Sequence, residues 1–282
     1  MLPKKANDNV MKKFPKIVSG AIGMAMLAFA VSTVQAQLID VDFNGNSVGV
    51  DYGGGGVATG PTMSGAAVIG SAGDQWNGIA DSAYTFSAYP NGITSTALPL
   101  IYSTGINSPV TMTIATDGGS YDANEPVWGN TSAFTTAGSP YSDLMQDLIY
   151  ANAAGGGTIT LSGLAANQAY NLVLYNAGDQ NVGTGRATSF TVNGVTQSST
   201  WDGLTSTLVA GVDYVNYAST MSDGSGNLVI TFGPGSIAGV LSSEGDLDGF
   251  QLEVVPEPGT LALLASGAVL LLGYQRRKTL RA

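Results

Sequence analysis

The side chains that could do chemistry here are carboxylates and indoles, because the 282 residues include no cysteine and no histidine. No thiol nucleophile, imidazole base, His-ligated zinc or Ser-His-Asp triad can be assembled, and no disulfide can staple the fold. Catalysis would have to run on carboxylates, or on a Tyr, Ser or Arg. Paired acids such as Asp143 and Asp147, or Asp246 and Asp248, are the residue type that glycoside hydrolysis uses. The spacing of Asp143 and Asp147 reads instead as one solvated face of a helix, and no pair stands in a catalytic signature. We therefore expect a protein that is not an enzyme, with a carboxylate-based glycosidase or lyase as the less favoured reading.

Two other sets of residues point to binding. Trp76, Trp128 and Trp201 each lie among polar loop residues, as in Asp74-Gln75-Trp76-Asn77 and Trp201-Asp202. A flat apolar ring beside planar amides and carboxylates suits stacking on a sugar, so these three are candidate carbohydrate contacts; the alternative is that they plug the ends of the fold. The second set is acidic. Asp40 and Asp42 fall near the start of the mature chain, and Glu244, Asp246 and Asp248 fall just before its last strand. The stretch Glu244-Gly245-Asp246-Leu247-Asp248-Gly249-Phe250 resembles the final strand of galactose-binding-like carbohydrate modules. That resemblance implies a structural calcium joining first and last strands, held here by Asp40, Asp42, Glu244, Asp246 and Asp248. Calcium takes about six to eight oxygens, and the spacing is not that of an EF-hand loop. The alternative is a solvated acidic edge that discourages strand pairing between molecules.

Positioning these residues is the work of short strands. Leu38–Phe43 alternates cleanly, with Ile39, Val41 and Phe43 on one face; Val110–Ala115, Thr158–Leu161, Ala169–Tyr175, Ser189–Val192 and Leu228–Phe232 follow the same pattern. Asn193-Gly194 between strand residues predicts a tight hairpin with both central residues at positive φ. Asp248–Val254 reads as the closing strand, with Phe250, Leu252 and Val254 inward. Leu164 through Tyr170 resembles the tyrosine corner of fibronectin type III-like sandwiches, with Asn167 where those domains usually carry Pro. One segment departs from this: apolar residues at 141, 144, 145, 148 and 149 behind Ser139-Pro140 predict one short helix. The expected fold is an all-β antiparallel sandwich or jelly roll of the galactose-binding-like type, carrying that helix, over residues 37–253.

Both chain ends read as processing segments. Lys4, Lys5, Lys12, Lys13 and Lys16 precede the apolar stretch Ile17–Val34, and Val34-Gln35-Ala36 fits a signal-peptidase site, giving a signal peptide over residues 1–36. Met11 would make the more ordinary start. This predicts delivery through the Sec translocon. At the other end, Pro256-Glu257-Pro258 leads into an uncharged apolar run from Gly259 to Tyr274 and then Arg276, Arg277 and Lys278. A full membrane span needs about 20 residues, and basic residues favour the cytoplasmic side. Motif, apolar run and basic tail resemble the PEP-CTERM sorting signal of Gram-negative bacteria, here over residues 254–282. The resemblance implies a transient inner-membrane anchor, recognition by an exosortase, and display at the cell surface or in the extracellular matrix.

With both ends removed, eighteen acids face one base, Arg186, a net charge of −17. Such a surface repels polyanions and lacks the basic face that phosphate binding requires, so nucleic acid is excluded as a partner. The expected role is a non-catalytic structural or adhesive part of an exopolysaccharide matrix, or alternatively a carbohydrate-binding module.

Overall fold

In the computed structural model, the described residues are 37–44, 62–80, 83–86, 92–122, 134, 139–152, 156–177, 186–201, 206–256, 267 and 271–272. The expected signal helix lies outside them, as does nearly all of the C-terminal apolar run. Among the described residues no helix is long and apolar enough to cross a membrane.

Residues 36–257 form one compact unit. A five-stranded sheet carries β1 (Leu38–Asn44), β2 (Asn77–Ala80), β10 (Ala169–Tyr175), β13 (Tyr214–Met221) and β18 (Gly249–Val254), in the order β13-β10-β18-β1-β2. First and last strands lie side by side, Leu38 opposite Glu253 and Asp42 opposite Gly249. Against this packs a sheet of β3 (Tyr84–Phe86), β4 (Ile93–Ser95), β6 (Asn107–Thr116), β9 (Gly157–Ser162), β11 (Arg186–Val192), β12 (Val195–Trp201) and β14 (Leu228–Pro234). β5 (Leu98–Ile101) pairs with β6 off the main path. β7 (Ser120–Asp122), β8 (Asp147–Asn152) and β17 (Glu244–Leu247) make a three-stranded sheet, and β15 (Ser236–Ile237) with β16 (Val240–Leu241) a small hairpin.

Alternation explains the core. Ile39, Val41 and Phe43 of β1 and Phe250 and Leu252 of β18 point between the two large sheets. There they meet Met112, Ile114, Ile159, Leu161, Phe190, Ile230 and Phe232. Removing each such side chain from water is worth about 1.5–3 kcal/mol, which is what holds the sheets face to face. The hairpin forms as the sequence requires: Asn193 has φ 51° and Gly194 φ 76°. Ala165 N–H donates to the Tyr170 hydroxyl at 3.1 Å, the corner bond expected of Tyr170. Asn167 sits at φ 54°, a conformation closed to proline, so the departure from the fibronectin-like pattern is built into the turn.

Two expectations need correction. The sandwich is not wholly antiparallel, since β1 and β2 pair in parallel. The predicted helix is absent: residues 140–145 are turns and β8 starts at Asp147. A single turn closes between Met145 N–H and Tyr141 O (3.0 Å). Beyond it the chain pairs with β7 and β17, so strand partners on both sides outcompete the local helical preference. The helical spacing had a different origin. Leu144 and Met145 bury in a second cluster, whereas Ile149 joins the core between the sheets.

Candidate functional site

That second cluster covers the outer face of the five-stranded sheet. Val173, Tyr175 and Tyr214 meet Met63, Trp76, Phe134, Leu144, Met145 and Trp201, which come from segments laid over the sheet. The outer face of β1 is where alternation places Asp40 and Asp42, so the covering layer buries both completely. Each then holds part of that layer. Met63 N–H donates to Asp42 Oδ2 (2.8 Å). Asp40 Oδ1 accepts from Gln251 Nε2 (2.7 Å), which also donates to Ile69 O (2.9 Å). Gln251 Oε1 accepts from Ile69 N–H (2.9 Å) and from the Tyr175 hydroxyl, which in turn accepts from Val68 N–H (3.1 Å). Residues 63–69 are thus strapped onto the sheet by a buried polar network.

Asp246, Asp248 and Asp147 are buried as well, at the end of the sandwich that carries Asp42. Asp248 accepts from Ala177 N–H. Glu244 and Asp246 pair with Arg186, whose Nε lies 3.6 Å from Asp246 Oδ2. The domain's one base is therefore spent inside, on two of the five expected calcium ligands. Thr188 Oγ1 accepts from Asp246 N–H (2.7 Å) and donates to Asn176 Oδ1 (3.1 Å), fixing this corner further.

These placements bear on the expected calcium. Among the described residues no group of three or more acids is placed to hold a metal ion. The five expected ligands are divided instead: Asp40 to Gln251, Asp42 to Met63, Asp248 to Ala177, and Glu244 and Asp246 to Arg186. The residues present do not make the cage that the resemblance implied, and no solvated acidic edge forms either. Protonation accounts for the burial. Desolvation pushes Asp42 up to about 8, with nearby Asp143 adding to it and the Met63 N–H opposing. Desolvation likewise pushes Asp40 up to about 7, opposed by Gln251 and helped by Asp74. Asp248 is raised well above the ordinary carboxylate range by burial, then by Asp246, Asp42 and Asp147. A neutral carboxyl costs far less to bury than a carboxylate, and the shift to about 8 favours the uncharged form of Asp42 at neutral pH. Oδ1 of Asp42 and Asp248, and Oδ2 of Asp40, have no hydrogen-bond partner among the described residues.

The tryptophans divide also. Trp76 is 6% exposed, its Nε1–H donating to Gly65 O (2.8 Å), and Trp201 is 1% exposed. Both belong to the covering layer, with no face open to a sugar, and are corrected to packing residues. Trp128 lies outside the described residues. Asp147, read from the sequence as part of a solvated helix face, is buried, and sequence reasoning missed Gln251 and Tyr175. For these two the signal was present: they fall on the outer face of β18 and β10, the face shared with Asp40.

The sorting motif begins where the ladder ends. Val254 N–H donates to Gln37 O (3.1 Å), Val255 N–H to Ala169 O (2.9 Å), and Pro256 is exposed. Glu257, Pro258, Arg276, Arg277 and Lys278 lie outside the described residues. Fold and chain end together define a β-sandwich protein that finishes in a processing signal. Residues 254–278 match the PEP-CTERM protein-sorting motif. The chain carries that motif and is an exported, exosortase-sorted protein. No curated protein matches it in sequence. Among solved structures it is similar to the plant receptor-like kinase ANX2, with 13% identity, a TM-score of 0.44, and 79% of this chain and 50% of that chain covered. For the ANXUR1 extracellular domain of Arabidopsis thaliana the figures are 13%, 0.43, 78% and 50%. For the CBM36-1 domain of a multidomain xylanase from the hindgut metagenome of Trinervitermes trinervoides they are 12%, 0.25, 40% and 80%. The chain spans about half the length of the two plant structures.

Proposed function

We propose that the sandwich is a non-catalytic structural or adhesive component of an extracellular polysaccharide matrix, delivered by exosortase sorting. One observation carries this reading: a sorting motif follows an interior strand of a domain that has no imidazole or thiol and buries Asp40, Asp42, Asp246 and Asp248. β18 lies between β10 and β1, so a cut at or beyond Pro256 leaves the fold whole. The protein is carried by the Sec translocon, trimmed by signal peptidase over residues 1–36, held by its C-terminal run and then released to the surface.

The test is fractionation of an epitope-tagged protein in an exosortase-competent host and in its exosortase-deletion counterpart. The reading expects a shortened form at the surface or in the matrix in the first, and an unshortened, membrane-held form in the second. An identical, intact protein in both hosts overturns it.

A second reading, a carbohydrate-binding module, is supported by a cleft at the opposite end of the sandwich from the buried acids. It opens between the two large sheets, has a volume of about 410 Å³, and is lined in part by Ile39, Val110, Tyr170 and Val254. Ligand sites commonly fall in this size range.

A further inference from the structure

The cleft's chemistry narrows its ligand. None of the side chains lining it is charged, although the mature chain holds eighteen acids. Its walls are apolar side chains, Val110, Leu164 and Leu252 among them, together with two tyrosines, Tyr102 and Tyr170. Tyr170 accepts the Ala165 N–H at 3.1 Å, which leaves its own hydroxyl proton to donate. Tyr102 is close enough for its ionisation to raise that of Tyr170, so the two hydroxyls work in one neighbourhood. Gln168 spends both amide hydrogens, on Ala169 O (3.1 Å) and Val255 O (2.8 Å). Its Oε1 stays as a fixed acceptor on the cleft wall.

From this we infer that the cleft between β6, β10 and β18 is a binding site for one uncharged pyranose unit. It rests on the carbohydrate-binding reading above and gives that reading a place and a ligand class. The C–H face of the sugar packs on Val110, Leu164 and the Tyr102 ring, while its hydroxyls reach the Tyr102 and Tyr170 hydroxyls and Gln168 Oε1. Acidic sugars are disfavoured, because no Lys or Arg side chain lines the cleft and acids outnumber bases eighteen to one in the domain. The site exists only after β18 has paired, since Val254 lines it and Val255 O orients Gln168. A cleft closed at its inner end by the core takes a chain terminus or a branch, rather than the middle of a long chain.

The test is calorimetric titration of the exported, processed protein with methyl glucoside, methyl galactoside, methyl mannoside and N-acetylglucosamine, beside glucuronate and an internal-chain oligosaccharide. Two variants accompany it, each checked by thermal melting. Ala165 is an exposed lining residue, so Ala165→Trp fills the mouth without touching the core. Tyr102→Phe removes a single hydroxyl. The inference expects at least one neutral sugar to bind, glucuronate not to bind, loss of binding in Ala165→Trp, and weakening of about tenfold in Tyr102→Phe. If the wild type binds a neutral glycan and both folded variants bind it equally well, the cleft is not the site although the carbohydrate reading stands. If no saccharide binds, that reading and this site fall together. Glucuronate binding as tight as glucoside overturns the ligand class alone.

Discussion

Strands β1, β10 and β18 run the length of the sandwich, and its two ends are built on opposite principles. At one end Asp42, Asp147, Asp246 and Asp248 are sealed from water with Arg186 beside them. At the other, the same strands meet Gln37, Tyr170 and Val254 around an open cleft lined by no charged side chain. Sequence composition would place the acids outside and the neutral residues inside. The difference teaches that the charges here organise a covering layer, whereas surface chemistry is left to hydroxyls and amides. It also separates the two ends experimentally, since one responds to pH and the other does not.

The largest effect is expected from breaking the closed end. Arg186→Met removes the only base from the neighbourhood of Glu244 and Asp246 and leaves buried acids uncompensated. Loss of one partner from a buried ionic cluster costs about 3–5 kcal/mol. Urea denaturation of the processed protein at pH 7.5 should show that loss, and Arg186→Lys should restore only part of it, because an ammonium cannot span two carboxylates as a planar guanidinium does. A shift of less than about 1 kcal/mol in Arg186→Met would mean that the pair is solvated and the closed end is not closed.

The next effect is a pH slope of unusual sign. Asp42 and Asp40 hold their protons to about 8 and about 7 when folded, and release them near 3.8 when unfolded. Below 3.8 both states are protonated and the stability is at its full value. As pH rises through that value the unfolded chain gives up protons that the folded chain keeps, so stability falls until the folded groups titrate too. The window runs from about 4 to about 8, with a limiting slope of about 1.4 kcal/mol per pH unit for each group. Asp74 near Asp40 and Asp143 near Asp42 push in the same direction. Denaturation midpoints should therefore be higher at pH 5 than at pH 8. Asp42→Asn keeps the Met63 acceptor and removes the titration, so it should flatten the slope. An unchanged slope in that variant would move the effect to other groups.

How much of this was legible depended on the range of the interaction. β1, β10, the Asn193-Gly194 hairpin and the Tyr170 corner are local: alternation or a two-residue turn states them outright, and they form as expected. The pairing of β1 with β18 was expected only from the resemblance to galactose-binding-like jelly rolls, and it forms. The helix over 139–150 failed because its apolar spacing serves two different cores, one on each side of a sheet, and a one-dimensional period cannot distinguish that from a helix face. The burial of Asp40 and Asp42 failed for a related reason. Strict alternation with Ile39 and Val41 reads as core on one side and solvent on the other, and the layer that covers the second side comes from residues 62–76 and beyond, far along the chain. The sorting motif was legible because it is read as a linear peptide and needs no partner from the fold.

The smallest effect is expected at the open end, and it sharpens the contrast. Tyr170→Phe keeps the buried ring and removes the acceptor of the Ala165 N–H. Ala165 is exposed, so water can replace that acceptor, and the loss should be about 1 kcal/mol. Burial raises the Tyr170 hydroxyl above its ordinary value of 10.0, so it carries its proton throughout the range in which the acids titrate. The loss on substitution should therefore be the same at pH 5 and pH 8, in thermal melts that resolve a shift of a few degrees. A loss that grows with pH would tie the corner to the buried carboxyls and show that the two ends are energetically one unit. A constant loss keeps them separate, which is what a domain needs if its closed end is to hold the fold while its open end meets a ligand.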